Sequence, residues 1–155
     1  LDSGVEPGTM IKHLKILIVD DDPGVIDLLG AYLESRGYSV RTAKNGRDAL
    51  VYLDDDQYDL VISDIEMAGI NGFELLRQTR GKYPRIGIIL MTGYTEAHPL
   101  SEALRAGADG YISKPFSLRK FSLIFEQAYW NALSREDWWT AHEDESQKSD
   151  GPEKE

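Results

Sequence analysis

The sequence predicts a doubly wound α/β fold, in which a five-stranded parallel sheet is covered by helices on both faces. Two observations support this prediction. Short apolar runs alternate five times with stretches of helical periodicity. Strands and helices that alternate in this way form parallel sheets, and right-handed crossovers place the helices on both faces.

The five predicted strands are short apolar runs, of which the second is the weakest. They lie at Ile16–Val19, Tyr38–Val40, Leu60–Ile62, Ile86–Met91 and Tyr111–Ile112. All are rich in apolar residues without strict alternation, as expected for strands buried on both faces.

The helices carry terminal signals as well as periodicity. Asp22 is expected to cap the first helix, with Pro23 at its first position and Gly37 at its end. Pro99 cannot continue a helix begun at Thr95, so the fourth helix should start near Pro99. The later four helices are expected at Asn45–Asp55, Gly72–Arg80, Pro99–Ala106 and Ser117–Asn131.

These elements predict one domain over residues 13–131. Residues 1–12 are aperiodic, and we expect a disordered leader or one added for expression. Residues 132–155 are expected to form an acidic tail, with a short capped helix starting near Ser134. In that tail, Trp138 and Trp139 suggest a packing or docking patch.

Composition excludes several classes of function. The chain has no cysteine, which rules out disulfides and thiolate chemistry and fits a cytoplasmic location. It also lacks any apolar run of the ~20 residues that a membrane span needs, so we expect no membrane association. The net charge is −10, half of it carried by residues 134–155, which argues against nucleic-acid binding.

Polar side chains follow directly on four of the predicted strands. They are Asp20, Asp64, Thr92 and Lys114, and Asp21 joins them from the loop after the first strand. The carboxyl ends of parallel strands meet at one edge of the sheet, where ligands of open α/β sheets bind. We therefore expect these side chains to share one pocket.

This set of side chains suits phosphoryl transfer. Carboxylates fit Mg²⁺, which binds few protein oxygens and keeps several waters. A lysine can neutralise one phosphoryl oxygen and a threonine hydroxyl can bond another. One carboxylate would then act as the nucleophile and form an acyl phosphate.

Four motifs carry a resemblance to bacterial response-regulator receiver domains, from about Lys15 to Asn131. They are Ile-Leu-Ile-Val-Asp20-Asp21-Asp22-Pro, Leu-Val-Ile-Ser-Asp64-Ile-Glu-Met-Ala-Gly69-Ile-Asn-Gly72, Leu-Met-Thr92-Gly93-Tyr and Gly-Tyr111-Ile-Ser-Lys114-Pro115-Phe116. The resemblance implies a flavodoxin-like strand order of 2-1-3-4-5. It departs from the family pattern at Ala68, where proline is usual, and at the acidic Glu66.

The resemblance also implies roles for the metal-binding residues. Asp64 would be the phosphoacceptor and a ligand of Mg²⁺, for which Mn²⁺ can substitute. Asp21 would bind the ion directly, Asp20 would support it partly through water, and the main-chain carbonyl of Glu66 would complete the protein ligands.

Further roles follow from the same resemblance. Thr92 and Lys114 would bind phosphoryl oxygens, Tyr111 would move with Thr92 as the aromatic switch residue, and a cis peptide would precede Pro115. The protein would be a signalling phosphoacceptor rather than an enzyme with turnover. Its donor would be a phosphohistidine on a sensor histidine kinase or a histidine phosphotransfer protein, and a homodimer would be compatible with such a role.

Other readings stay open from the residues alone. Asp20 and Asp21 could belong to a helix cap, the Glu66 side chain could point into water, and Tyr111 could only pack on a helix. Asp20-x-Asp22 also resembles the start of a haloacid-dehalogenase-type phosphohydrolase, although no later acidic metal motif follows. A receiver-like binding module that never accepts phosphate is the other alternative. The histidines at 13, 98 and 142 have no metal-ligand spacing and receive no role.

Overall fold

Five strands and five helices alternate along the chain, as the sequence predicts. The structure, a computed structural model, describes the backbone of residues 13–148 and the side chains of residues 13–135. The predicted leader at residues 1–12 lies outside the described residues. The elements are β1 (Lys15–Val19), α1 (Pro23–Ser35), β2 (Ser39–Ala43), α2 (Gly46–Asp55), β3 (Leu60–Asp64), α3 (Gly72–Lys82), β4 (Gly87–Thr92), α4 (Leu100–Ala106), β5 (Gly110–Ser113) and α5 (Leu118–Lys148).

The five strands form one parallel sheet in the order β2-β1-β3-β4-β5, which confirms the predicted fold class. The register runs across the centre of the sheet through Ile18, Ile62 and Ile89, which pair in sequence. The chain moves outward from β1 to β2 and then returns to the other side of β1 with β3. The carboxyl ends of β1 and β3 therefore flank the point where the direction of winding reverses, and ligands of such sheets bind there.

Two apolar cores cover the two faces of the sheet. On one face, Leu29 and Leu33 of α1 and Phe121 and Phe125 of α5 pack against the strands. On the other face, the helices α2, α3 and α4 supply residues such as Leu53, which is buried with Leu17 and Val61. Burial on both faces explains why the strands are apolar without alternation.

Helix ends follow the predicted terminal signals. The Asp22 side chain accepts a hydrogen bond of 2.8 Å from the Gly24 backbone N–H, and Pro23 is the first residue of α1. Pro99 is the N-cap of α4, which begins at Leu100, and this confirms that the helix starts near the proline. Gly107 ends α4 with a φ of 97°, a left-handed conformation that glycine adopts without strain.

Helix α5 differs from the prediction. It does not end at Asn131 with a separate short helix in the tail, but continues unbroken to Lys148. No glycine or proline occurs between Leu118 and Lys148, so no residue in this span interrupts the helix. Within residues 13–148, no helix has the length and apolar character needed to cross a bilayer.

Candidate phosphoryl-acceptor site

The carboxyl edge of the sheet brings together the polar residues predicted from the strand ends. Asp20 follows β1, Asp64 ends β3, Thr92 ends β4 and Lys114 follows β5. The Lys114 Nζ atom lies 2.7 Å from Asp20 Oδ2 and 3.5 Å from Asp64 Oδ2. One ammonium group, carried by the segment after β5, therefore contacts carboxylates at the ends of the adjacent strands β1 and β3.

Three carboxylates of this edge form a cluster suited to a divalent cation. Oxygen atoms of Asp20, Asp21 and Asp64 all lie within 4.8 Å of one another. Asp20 is fully buried, with Oδ1 accepting a hydrogen bond from the Asp22 N–H at 2.9 Å and Oδ2 bonded to Lys114. Its two oxygens are thus already engaged, which suits a supporting role.

Asp64 has the atom that most needs a ligand. It is 5% exposed, and its Oδ1 is buried without a hydrogen-bond partner. Buried polar atoms are rarely left unsatisfied unless they serve a ligand or a reaction. A hard cation with oxygen ligands fits this atom together with exposed Asp21, so the donor set is compatible with Mg²⁺.

The loop after β3 is held close to Asp64 by a glycine. A Cβ atom at Gly72 would lie 2.5 Å from the Asp64 carbonyl oxygen, so only glycine fits without a shift. The Gly72 N–H donates to the Ile65 carbonyl at 2.9 Å. Glu66 is therefore carried by a short, constrained loop beside the acceptor.

Burial and charge shift the ionisation of both central groups. Burial, and then the neighbouring charge of Asp20, raises the pKa of Asp64 to about 7, although Lys114 opposes this shift. Burial acts to lower the pKa of Lys114, but the hydrogen bond and charge of Asp20, together with Asp64, outweigh it and raise that pKa. Lys114 is consequently an ammonium ion at neutral pH, whereas Asp64 is partly protonated when no cation is bound.

The Glu66 side chain is partly exposed, but its carboxylate is bonded to the protein. The Thr92 hydroxyl donates a hydrogen bond to Glu66 Oε1 at 2.5 Å, and Thr92 Oγ1 accepts one from the Tyr94 N–H at 2.9 Å. Thr92 is fully buried. Its hydroxyl is thus engaged on both its donor and its acceptor side.

Tyr111 is linked to the loop that precedes α4. Its hydroxyl donates a hydrogen bond of 2.6 Å to the His98 carbonyl, and its ring packs against the core beneath α4. Burial, followed by the charges of Glu66 and Glu102, raises the pKa of Tyr111. The peptide bond between Lys114 and Pro115 is cis.

His98 contacts the site although the sequence did not predict it. Its Nε2 lies 3.6 Å from Glu66 Oε1, and its ring packs on Phe73 with 5.5 Å between ring centroids. These contacts depend on the path of the loop before α4. No spacing in the sequence signals them, since His98 is 32 positions from Glu66 in the chain.

A parallel sheet with a carboxylate cluster, a hydroxyl and a lysine at its carboxyl edge defines a class of phosphoryl-binding domain. Comparison with known families gives the same class, because residues 16–125 match the model described as "Response regulator receiver domain". The chain belongs to the family of response-regulator receiver domains, the phosphoacceptor domains of two-component systems. The family match supports a receiver domain and not the alternative of a haloacid-dehalogenase-type phosphohydrolase.

Relatives share the domain but are longer proteins. The chain is 40% identical over 114 residues to the regulatory protein AtoC of Escherichia coli K12, a match that covers 74% of this chain and 25% of AtoC. It is 36% identical over 108 residues to the response regulator SaeR of Staphylococcus aureus USA300, covering 70% of this chain and 47% of SaeR. The chain therefore spans about a quarter to a half of these relatives.

A solved structure resembles the whole domain. The response regulator protein TrrA of Thermotoga maritima, in complex with Mg²⁺ and BeF, has a TM-score of 0.67 and is 37% identical. The alignment covers 74% of this chain and 98% of TrrA. Receiver domains bind Mg²⁺ at an acidic pocket, and those of response regulators are phosphorylated by histidine kinases.

Proposed function

We propose that Asp64 accepts a phosphoryl group from the phosphohistidine of a sensor histidine kinase or a histidine phosphotransfer protein. The observation that carries this proposal is the buried Oδ1 of Asp64, which has no hydrogen-bond partner at the ligand-binding edge of the sheet. Lys114, 3.5 Å from the other oxygen of Asp64, supports it. Lys114 would engage a phosphoryl oxygen, and Asp20 and Asp21, which lie beside Asp64, would engage a cation.

Four residues would hold the metal. Asp21, Asp64 and the main-chain carbonyl of Glu66 would be direct ligands, and Asp20 would support the ion partly through water. Mg²⁺ would neutralise charge on the phosphoryl oxygens, and Mn²⁺ would substitute for it. The acidic cluster within 4.8 Å supports this proposal.

The chain's own groups have separate tasks in the transfer. An oxygen of Asp64 forms the new O–P bond while the P–N bond of the donor breaks and its electron pair returns to the imidazole nitrogen. Lys114 holds one phosphoryl oxygen by charge, and the Thr92 hydroxyl donates to another. Positioning and charge neutralisation supply most of the catalysis in such a reaction.

The product is an aspartyl phosphate that signals until water hydrolyses it. The domain assists its own phosphorylation and dephosphorylation, but it does not turn over a substrate as an enzyme does. Movement of Thr92 toward the phosphoryl group would be followed by Tyr111, which would change the surface of α4, β5 and α5. A downstream partner, an output domain or a second copy in a homodimer would read that surface.

The proposal also includes a cytoplasmic location and no binding of nucleic acid by this chain. The absence of cysteine fits the cytoplasm. The net charge of −10 argues against nucleic-acid binding by residues 1–155 themselves.

Intact-mass measurement tests the proposal directly. With Mg²⁺ and a small-molecule phosphodonor or a phosphohistidine partner, the wild-type protein should gain one phosphoryl group, and Asp64→Asn should gain none. Asp59→Asn is the matched control, because Asp59 is exposed and lies before β3 rather than at its end. Full labelling of Asp64→Asn would refute the assignment, and no labelling of the wild type under any donor would favour a binding module that never accepts phosphate.

A further inference from the structure

We propose that the Glu66 carboxylate is a latch on Thr92, which the phosphoryl group must displace before the switch can move. This inference rests on the proposed function, because it describes regulation of the same acceptor site. It assigns a specific contact and task to the side chain of a residue whose main-chain carbonyl is the proposed metal ligand.

The contact is well defined in the unphosphorylated protein. Thr92 Oγ1 donates to Glu66 Oε1 at 2.5 Å, although the two residues are 26 positions apart in the chain. Thr92 is fully buried, and the Glu66 side chain is 28% exposed. A half-buried carboxylate that accepts a hydroxyl proton makes a charge-assisted bond, which is stronger than one between neutral groups.

A threonine hydroxyl has one proton to donate. In the unphosphorylated protein Glu66 accepts that proton, whereas the phosphorylated state requires it to be donated to a phosphoryl oxygen. Thr92 cannot fully serve both acceptors, so the phosphoryl group competes with Glu66 for the hydroxyl. Glu66 thereby stabilises the unswitched state. The phosphoryl group must bind the Thr92 hydroxyl more strongly than Glu66 does before the switch can move.

The same carboxylate contacts the loop that would move. Glu66 Oε1 lies 3.6 Å from His98 Nε2, and the His98 carbonyl accepts the hydroxyl proton of Tyr111 at 2.6 Å. The latch therefore joins the loop after β3, the end of β4 and the loop before α4. Among the described side chains, a single hydrogen bond of 3.5 Å or less links Thr92 to Glu66. Movement of Thr92 away from Glu66 would break it.

A double-mutant cycle separates the latch from simple charge repulsion. The dissociation constant of beryllium fluoride, in saturating Mg²⁺, is measured for the wild type, Glu66→Gln, Thr92→Ala and the double variant. Glu66→Gln removes a negative charge near an anion in either background, so repulsion alone predicts the same gain in affinity with Thr92 or with alanine. The latch predicts a gain about fivefold larger when Thr92 is present, because a neutral acceptor holds the hydroxyl less strongly.

A second readout needs neither metal nor fluoride. The Tyr94 N–H donates to Thr92 Oγ1, so its amide resonance reports the state of that hydroxyl. Glu66→Gln should shift the Tyr94 resonance in the unliganded protein, and it should not do so in the Thr92→Ala background. Glu96→Gln is the charge-matched control, since Glu96 is an exposed carboxylate of the neighbouring loop.

The outcomes are distinct for the two proposals. If the wild type binds beryllium fluoride but the cycle shows equal gains in both backgrounds, the latch is refuted while the acceptor site stands. An unchanged Tyr94 resonance in Glu66→Gln refutes the latch as well. If the wild type fails to bind the fluoride in Mg²⁺, the proposed function fails and the latch fails with it.

Discussion

Asp64 is a carboxylate held in an unfavourable environment. It is 5% exposed, faces Asp20 across the pocket and has an oxygen without a hydrogen-bond partner. Burial and the charge of Asp20 raise its pKa from 3.8 to about 7. Such a group opposes folding when it is ionised, and a bound cation would offset this cost.

Replacing this carboxylate should stabilise the protein in the absence of divalent cations. Asp64→Asn removes a buried negative charge beside Asp20, and we expect the free energy of unfolding at pH 8 to rise by about 1–3 kcal/mol. Urea denaturation in the presence of EDTA measures it. Asp59→Asn, at an exposed position, should change stability far less. A loss of stability in Asp64→Asn at this pH would contradict the electrostatic account.

The pH dependence has a definite sign. Because the folded-state pKa of Asp64 lies above its unfolded value of 3.8, protonation favours the folded state. The stability that this group contributes is fully present below pH 3.8 and is lost as the pH rises toward about 7. The gain from Asp64→Asn should therefore shrink between pH 8 and pH 5, and added Mg²⁺ should reduce it at pH 8.

Residue-level prediction succeeded where position in the sheet determines contact. Asp20, Thr92 and Lys114 could be placed at one edge of the sheet because each lies at the end of a strand and parallel strands end at one edge. The bond between Thr92 and Glu66 could not be predicted, because it depends on a side-chain rotamer and on a loop conformation. The contact of His98 with Glu66 was missed for the same reason.

At the scale of elements, a buried ionic network fastens α5 to the body of the domain. Asp109, at 8% exposure, bonds Arg135 of α5 and Arg80 of α3, and its Oδ2 also accepts the Ile88 N–H at 2.8 Å. The Asp109 carbonyl accepts a hydrogen bond from the Asn131 side chain at 3.0 Å. Three elements thus share one carboxylate at the edge of the sheet opposite the acceptor site.

Breaking this network from either side should have unequal effects. Asp109→Ala leaves two partly buried guanidinium groups without their carboxylate, and we expect a loss of about 3–5 kcal/mol. Arg135→Ala leaves Asp109 paired with Arg80, and we expect a loss of about 1–2 kcal/mol. Chemical denaturation gives both values.

A control on the same helix tests the explanation. Arg119→Ala removes an exposed arginine of α5 and should cost less than either change. Equal losses in Asp109→Ala and Arg135→Ala would show that the ion pair between Arg80 and Asp109 adds nothing to the free energy of unfolding.

Element boundaries could be predicted where a residue type forces them. Pro99 sets the start of α4 and Gly107 sets its end, because one cannot continue a helix and the other adopts a left-handed conformation. The sequence pattern places the end of α5 too early, because the apolar periodicity of this helix stops before the helix itself ends. The hydrogen bonds from Asn131 and Arg135 to Asp109 could not be predicted from the local pattern, because Asp109 lies 22 and 26 positions away from them in the chain.

At the scale of the whole molecule, the proposed coupling between the acceptor site and a surface would run through Thr92. The hydroxyl connects Glu66, the Tyr94 backbone and, through the loop before α4, the neighbourhood of Tyr111. A ligand changes such an equilibrium only through contacts that differ between its two states. The Thr92 hydroxyl is the group whose contacts would differ.

Hydrogen exchange should reveal this coupling. In the wild type, a beryllium fluoride phosphoryl mimic with Mg²⁺ should change amide exchange strongly across residues 93–107 and around Tyr111. Thr92→Ala should still bind the mimic at Asp64 but respond weakly in these segments, because the linking hydroxyl is absent. Ser101→Ala, an exposed hydroxyl position on α4, serves as the control.

An equal response in the wild type and in Thr92→Ala would show that the coupling takes another route. Binding must be established in both proteins before exchange is compared. Saturation of the mimic, checked by titration, ensures that a weak response reflects lost coupling rather than lost occupancy.

The helical continuity of α5 also has an optical consequence. All three tryptophans of the chain, at positions 130, 138 and 139, fall within this one helix, whereas the eight tyrosines are distributed through the sequence. Selectively excited tryptophan emission therefore originates from α5 alone. The native protein thus contains its own fluorophores for following this helix. No dye needs to be attached to distinguish an event there from one confined to the carboxyl edge of the sheet.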